Sequence, residues 1–271
     1  MHDVVTEEQL PELLRLAEAA ARSASELILS GFRSPRLAVE RKGDGSPVTP
    51  FDREAERTIR AFIAANQPRP WPVLGEELGD DTGQSRYRWV VDPIDGTLGF
   101  TRGLPNFGTL LAFEDALAGR ALVGVIHLPA MSETYRAARG LGAWCADERL
   151  SVAPPRALAD CLISAPPQSQ FQLAGTAASH AKLRAQVPHL RCFGDCWAHA
   201  MVARGPIDAL AEFNLARWDI AATEVLVEEG GGRVFIRDAR DVHGKYDIVI
   251  GSPQAAAAVA ELLQFGAPAQ V

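Results

Sequence analysis

The stretch WVVDPIDGT, residues 89–97, joins an apolar run to two carboxylates, a glycine and a threonine. The run 89–91 has the composition of a buried strand, so Asp92 and Asp95 stand where that strand gives way to a turn. Carboxylate oxygens are ligands that Mg²⁺ prefers, together with water and substrate phosphate oxygens. Gly96 would let a phosphate approach the backbone, and the amides of Gly96 and Thr97 would bind it if they open a helical turn. This short segment therefore predicts a metal site and a phosphate site.

Other carboxylates also follow predicted elements. Glu76 and Glu77 come after the strand-like run 71–75, and Asp219 begins a predicted helix. Ligands gather at such element ends on α/β folds. Taken singly, each acid also has a structural interpretation: Asp219 as a helix N-cap, Asp52 as half of a capping box, and Glu77 as a solvated surface charge.

Composition excludes several classes of protein. The 271 residues are 47% hydrophobic, enough for a substantial core, and a net charge of -7 without a Lys/Arg run makes nucleic acid a poor candidate partner. No apolar run approaches the roughly 20 residues that cross a bilayer. The acidic start has no secretion-signal pattern, and the four cysteines have no CxxC spacing. We therefore expect a cytoplasmic protein with no membrane segment.

The two halves of the chain differ in their order of predicted elements. Helical periodicity predicts helices over 10–28 and from Thr49 onward, with a polar loop at 41–47 between them. The strands of the first half are predicted at 71–74, 87–91, 107–113 and 121–127. The second half alternates strands with helices, which is typical of a layered α/β arrangement. Its elements are predicted at 161–164, 174–186, 190–193, 195–204, 207–211, 218–229, 233–236, 248–250 and 254–263.

Three segments together resemble the inositol monophosphatase superfamily of magnesium-dependent, lithium-sensitive phosphatases. They are 75–77, 89–97 and 218–222, the last leading into 229–232. The resemblance runs from Leu10 to Leu263. It implies a mixed α/β (α+β) fold, a layered αβαβα sandwich, and a homodimer. We expect an α+β subdomain over 1–152 and an α/β subdomain over 153–271, forming one compact unit with the active site between them.

The resemblance also implies roles for individual residues. The metal ligands would be Glu76, Asp92, Asp95, Asp219 and the carbonyl of Ile94. Asp52 and Thr97 would pair to orient the attacking water, and Lys42 would lie on a mobile loop near a third, weaker metal position. Two or three Mg²⁺ ions would activate that water and clamp the phosphoryl oxygens, in a displacement without a phosphoenzyme.

Two positions depart from the pattern of the superfamily. Leu98 and Gly99 stand where relatives most often have Lys or Arg followed by Asn, Ser or Ala, which would alter the turn that holds the phosphate. Phe51 occupies a position that is commonly small. Neither departure removes a ligand, but both would affect metal affinity or the shape of the pocket.

Softer signals point to a substrate. The segments 100–105, 108–112, 194–197 and 202–205 resemble the histidinol-phosphate phosphatase branch. Histidinol phosphate carries an ammonium and an imidazole, which Asp195 and Glu212 could bind as acceptors. Glu212 precedes Asp219 by seven residues, however, as does a substrate-contacting glutamate in inositol phosphatases. Asp195 could also be only an N-cap.

Several alternatives remain open from the sequence. One is an inositol-1-phosphatase, and another is a 3',5'-bisphosphate nucleotidase, for which Trp197 is the one candidate adenine-stacking residue. A non-catalytic binding module, or a structural role in which Asp92 and Asp95 only fix a turn, are further alternatives. The six histidines have no metal-binding spacing, and His199 is expected on a helix near the pocket rim.

Overall fold

The computed structural model describes residues 4–81, 85–173, 177–239 and 244–265. None of the helices in this part of the chain is long and apolar enough to cross a bilayer. The helices are α1 (Leu10–Ser23), α2 (Ser25–Gly31), α3 (Pro50–Asn66), α4 (Thr97–Thr101), α5 (Gln168–Leu173), α6 (Ala177–Gln186), α7 (Asp195–Arg204), α8 (Arg217–Glu229) and α9 (Pro253–Leu262). The strands are β1 (Glu40–Arg41), β2 (Pro47–Val48), β3 (Val73–Gly75), β4 (Gly79–Asp80), β5 (Tyr87–Asp95), β6 (Gly108–Asp115), β7 (Arg120–Leu128), β8 (Glu133–Ala138), β9 (Gly142–Cys145), β10 (Glu148–Arg149), β11 (Leu162–Ser164), β12 (His189–Arg191), β13 (Ala209–Leu215), β14 (Arg233–Asp238) and β15 (Tyr246–Gly251).

An eight-stranded sheet contains all four strands predicted in the first half. Its strand order is β10-β9-β8-β7-β6-β5-β3-β4. Neighbours are antiparallel except β3 and β5, which run parallel with Gly75 beside Val91. The carboxyl ends of this parallel pair therefore meet at one edge, and the residues that follow, Glu76 and Asp92, are brought side by side.

The second sheet has five strands in the order β12-β11-β13-β15-β14. Helices α1 and α3 pack on the eight-stranded sheet, α7 and α8 contact strands of both sheets, and α9 packs on the five-stranded sheet with α6 beside it. Successive residues of β5 point to opposite faces of the sheet. Trp89 and Val91 pack in the hydrophobic core that includes α1 and α3, whereas Val90 packs in the core that includes α8. The architecture is the layered αβαβα sandwich expected from the sequence.

Several predicted elements differ in detail. The helix predicted over 10–28 is broken at Ala24 into α1 and α2, and the ends of the loop 41–47 pair as the β1–β2 hairpin. Strands β8 to β10 and helix α5 were not predicted, because short elements carry too little periodicity. The helix predicted over 174–186 begins at Ala177 among the described residues; Ala174 lies outside them. The subdomain boundary at 152 stays a prediction.

A buried ion network fixes the start of α8 against the eight-stranded sheet. Arg217 Nε donates to Glu114 at 2.6 Å, and its Nη1 donates to Glu224 at 3.0 Å. Arg88 and Arg139 complete the network from β5 and from the turn after β8. A cation in the first turn of a helix is disfavoured by the helix dipole. The two glutamates offset that cost and so hold α8 in place.

Replacing Arg217 with Met should lower the free energy of unfolding by about 3 kcal/mol, because two buried carboxylates lose a partner. Urea denaturation at neutral pH measures the change. Arg57→Met is the matched control, since the Arg57–Glu54 pair is exposed, and it should change stability by less than about 0.5 kcal/mol. Equal effects of the two variants would contradict a structural role for the network.

His127 lies buried between α2 and the eight-stranded sheet. Its Nε2 is 2.8 Å from Ser25 Oγ and its Nδ1 is 2.9 Å from Thr134 Oγ1. Burial is the main cause that lowers the pKa of His127 to about 4, with Arg22 adding to it. The folded protein therefore holds this imidazole neutral.

His127 takes up a proton near pH 6.5 in the unfolded state and only near pH 4 in the folded state. Its contribution to the free energy of unfolding is therefore fully present above pH 6.5 and is lost as the pH falls toward 4. Between pH 7 and pH 5 the wild type should lose about 2 kcal/mol more stability than His127→Leu. Urea denaturation at both pH values gives the difference. Parallel pH dependences would show that His127 is not buried neutral.

Candidate active site

The irregular end of β5 carries two of the predicted ligands, Asp92 and Asp95. The pairing of β5 with β6 shifts register between these two residues, and the strand continues to Asp95, beyond its predicted end at Val91. Asp92 Oδ1 accepts a hydrogen bond from the Ile94 amide at 3.1 Å. Gly96 has φ +77°, and a Cβ there would lie 3.0 Å from the Asn106 carbonyl oxygen, so a glycine is required on both counts. The segment recognised in the sequence is therefore the irregular end of a strand, followed at Gly96 by a tight turn into α4.

The end of β3 brings a second group of acids to this edge. The Glu76 amide donates to the Val91 carbonyl at 3.1 Å, beside Asp92. The buried side chain of Glu56, on α3, accepts from the amides of Glu77 at 2.7 Å and Leu78 at 3.3 Å. These two hydrogen bonds fix the turn at Glu76 and Glu77 to helix α3.

Asp219 reaches the same place from α8, in the second half of the chain. Its Oδ2 accepts from the Ala216 amide at 2.7 Å, so it also caps the helix. Ligand oxygens of Asp92, Asp95 and Asp219 all lie within 4.8 Å of one another. Glu76 lies outside that group but lines the same cavity. Two carboxylates of β5 and one of α8, from the two halves of the chain, therefore converge, and their role as metal ligands stays a prediction.

The electrostatics of this cluster are unfavourable for a protein without a cation. Burial first, and then the charges of Glu76, Asp95 and Asp219, raise the pKa of Asp92 well above its ordinary value. Burial also raises the pKa of Asp219 to about 7. Like charges in a low-dielectric site repel strongly. Either protons or a cation must therefore offset the negative charge.

Lys42 supplies one positive charge at the edge of the cluster. Its Nζ donates to Glu76 Oε1 at 2.7 Å and to Glu77 Oε1 at 2.5 Å. Although burial opposes it, the charge of Glu76 raises the pKa of Lys42, and Glu77 contributes as well. Glu77 is not the solvated charge considered above, because its side chain is only 5% exposed.

Asp52 and Thr97 are in contact as the resemblance implies. Thr97 Oγ1 lies 3.1 Å from Asp52 Oδ1 and 2.9 Å from the Ile94 carbonyl. Asp52 Oδ2 accepts from the amide and the hydroxyl of Thr49, at 2.8 and 2.6 Å. Asp52 therefore forms the capping box of α3 and also contacts Thr97, whereas a role of this pair in orienting water stays a prediction.

The same cavity is also lined by Asp195, Glu212 and His199. Asp195 is not the N-cap of α7, because Gly194 holds that position and Asp195 has φ +61°. Burial and the charge of Glu212 raise the pKa of Asp195 to about 6. The cavity has a volume of about 200 Å³. Its lining residues are Glu76, Asp92, Ile94, Asp95, Gly96, Thr97, Asp195, His199, Glu212, Leu215 and Asp219.

Both departures from the superfamily pattern are accommodated locally. A Cβ at Gly31 would lie 2.7 Å from the Phe51 ring, so the absence of a side chain on α2 makes room for that ring. The turn at Leu98–Gly99 still forms helix α4. A Cβ at Gly99 would lie 2.8 Å from Asn106 Oδ1, so glycine allows the Asn106 side chain to pack there.

The sequence did not assign two residues that shape this site. Glu56 could have been found as a charge next to Ala55 on the buried stripe of α3. His199 was expected near the pocket rim, but it is a buried part of the cavity wall that contacts Glu212 and Thr223. Helical position alone does not indicate its partners, which lie on β13 and α8.

The chain is similar to known proteins over most of its length. A family model described as the inositol monophosphatase family matches residues 9–266. Histidinol-phosphatase of Streptomyces coelicolor is 35% identical over 234 residues, which cover 84% of this chain and 87% of that protein. Inositol-1-monophosphatase of Mesorhizobium japonicum is 34% identical over 242 residues, covering 88% and 90%. The crystal structure of the extragenic suppressor protein suhB from Bartonella henselae has a TM-score of 0.83 and 31% identity, covering 94% of this chain and 99% of that one.

The carboxylate-lined cavity, the layered fold and these similarities lead to one conclusion. The chain belongs to the inositol monophosphatase family and is a phosphatase of that family.

Proposed function

We propose that this protein is a magnesium-dependent phosphatase whose substrate is L-histidinol phosphate. One observation carries the proposal: carboxylates of Asp92, Asp95 and Asp219 converge within 4.8 Å beside the turn at Gly96. Such a cluster is costly unless it binds a cation, and a glycine turn next to it offers room for a phosphate.

The donor set fits magnesium. Its side-chain donors are carboxylate oxygens, which suit a hard cation, and no His or Cys belongs to the three-residue cluster found among the described residues. Two or three ions would be held by Glu76, Asp92, Asp95, Asp219 and the carbonyl of Ile94. Bound magnesium supplies two effects, a lower pKa for water and a positive charge against the phosphoryl oxygens.

The protein's own side chains would orient the attacking water. The hydroxyl of Thr97 has one proton, and acceptors on Asp52 and Ile94 are within reach of it. Once that proton is committed, Thr97 Oγ1 can only accept, so it would hold a water by one of its protons. Glu76 would act as a second acceptor for that water. The amides of Gly96 and Thr97 would bind the phosphate.

Asp195 and Glu212 would bind the alcohol portion of the substrate. Both carboxylates line the same cavity as the three clustered acids, and an acidic lining suits an ammonium and an imidazole N–H. Similarity to a histidinol-phosphatase supports the same assignment. A second candidate is inositol 1-phosphate, favoured by Glu212, since a carboxylate also accepts from hydroxyls, and by similarity to an inositol-1-monophosphatase.

A 3',5'-bisphosphate nucleotidase is less favoured. Trp197 packs edge-on against Phe193, with ring centroids 5.5 Å apart, and it does not line the cavity. The cytoplasmic location and the homodimer stay predictions.

Magnesium should stabilise the protein through the cluster. At a concentration about one hundred times the dissociation constant, the gain is about 2.7 kcal/mol. Asp92→Asn should raise the melting temperature in EDTA, because it relieves repulsion, and should abolish most of the magnesium-induced shift. Thermal melts with and without magnesium measure both effects.

Asp247→Asn is the matched control for this experiment, since Asp247 is a buried carboxylate paired with Arg237 on the second sheet. Its magnesium-induced shift should equal that of the wild type. A shift retained in Asp92→Asn would argue against a cation in the cluster.

The substrate is tested by turnover of L-histidinol phosphate, inositol 1-phosphate and adenosine 3',5'-bisphosphate side by side. We expect the highest kcat/KM for histidinol phosphate. Asp195→Asn should reduce that value about tenfold to a hundredfold, the worth of a charged hydrogen bond, and leave inositol 1-phosphate nearly unchanged. Asn tolerates the positive φ at this position, so the fold is preserved.

Asp95→Asn separates catalysis from the two non-catalytic alternatives. If Asp95 holds magnesium, turnover of every ester should fall by about three orders of magnitude or more. Full activity in this variant would mean that Asp92 and Asp95 only fix a turn. A wild type that binds magnesium but hydrolyses none of the esters would indicate a binding module.

A further inference from the structure

Glu212 is held by groups on two other elements. Its Oε2 lies 2.7 Å from His199 Nε2, and its Oε1 accepts from the Asp195 amide at 3.3 Å. His199 is only 2% exposed, although Glu212 itself reaches the cavity. Each carboxylate oxygen therefore has one donor from the protein and a lone pair left over.

The other ring nitrogen of His199 is held as well. Nδ1 lies 2.8 Å from Thr223 Oγ1. An ionised carboxylate is only an acceptor, so the proton on Nε2 must face Glu212. The hydroxyl of Thr223 can then donate to Nδ1 and fix this tautomer. Thr223 lies one helical turn after Asp219 on α8. His199 therefore connects Glu212 to the helix that carries a predicted metal ligand.

We infer that His199 is a positioning residue, which orients Glu212 so that its free lone pairs face the alcohol portion of the substrate. Both oxygens of Glu212 remain acceptors in this arrangement. They would select a leaving group that carries N–H or O–H donors and would do nothing for a plain aromatic or alkyl ester. This inference rests on the proposed phosphatase function but not on the choice between histidinol and inositol.

A glutamate on a strand samples several rotamers, and each immobilised side chain costs about 0.5 to 1.5 kcal/mol when a ligand must order it. Because the buried imidazole of His199 already orders the Glu212 side chain in the free protein, a ligand does not have to supply that free energy. Without His199 the carboxylate would still be present, but the substrate would have to order it. The contact of Glu212 with the alcohol portion is made in both the ground state and the transition state. Its loss should therefore raise KM and leave kcat unchanged.

The test compares His199→Leu with the wild type on L-histidinol phosphate, inositol 1-phosphate and phenyl phosphate, at saturating magnesium. For the better of the two donor-bearing esters, KM should rise about tenfold to a hundredfold while kcat changes by less than about threefold. The kcat/KM for phenyl phosphate, which has no donor, should stay within about twofold of wild type.

Two further variants keep the test decisive if His199→Leu folds poorly. His199→Gln retains an N–H donor and should recover most of the affinity. Thr223→Val removes only the hydroxyl on Nδ1 and should raise KM in the same direction but less. In the Glu212→Ala background, adding His199→Leu should cause no further rise, because the two residues act through one contact.

His127→Leu is the matched control, because His127 is also a buried histidine between two hydroxyls, but it lies outside the cavity. It should leave all three KM values unchanged. Equal losses on phenyl phosphate and on the donor-bearing esters, or additive effects with Glu212→Ala, would overturn the inference. A wild type that prefers inositol 1-phosphate would instead refute only the proposed substrate.

Discussion

Repulsion among buried carboxylates is the constraint on which this site depends. The protein places Asp92, Asp95 and Asp219 together with Glu76 nearby, where burial and mutual charge raise the pKa of Asp92 and Asp219. Folding alone would not favour this arrangement, since an apolar packing of the same volume would be more stable. The rest of the fold therefore has to hold the carboxylates against their repulsion, which is the expected cost of a preformed cation site.

Backbone amides and a second set of charged side chains hold these carboxylates in place. Amides of Ile94, Cys196 and Ala216 donate to the three clustered carboxylates. The buried Glu56 fixes the turn that carries Glu76, and the network around Arg217 fixes the start of α8. Apart from Ile94, the residues that supply these contacts do not line the cavity themselves. These supports explain why the acids can come from three separate elements and still converge.

The acids that line the cavity have two kinds of surroundings. Asp92, Asp95 and Asp219 crowd like charges together, and the charge of Asp195 also raises the pKa of Asp95. Glu212, by contrast, is engaged by His199 and by the Asp195 amide, so its charge is already shared with protein donors. A site can thus differ between members of one fold in the partners of its acids as well as in the acids themselves.

The sequence by itself determined the family and the layered fold, and it singled out the acids that converge in the cavity, because the segments 75–77, 89–97 and 218–222 carry these acids within short local motifs. Periodicity also located most long helices and strands, as packing of an apolar face leaves a repeat in the chain. Only the three-dimensional structure showed which side chains support these acids. Glu56 on α3 holds backbone amides 21 and 22 residues away, His199 on α7 contacts residues 13 and 24 away, and Arg217 on α8 contacts residues 7 and 103 away. Such contacts depend on the order of strands and layers, which leaves no local pattern, and so the supports of the site could be seen only once the chain was folded.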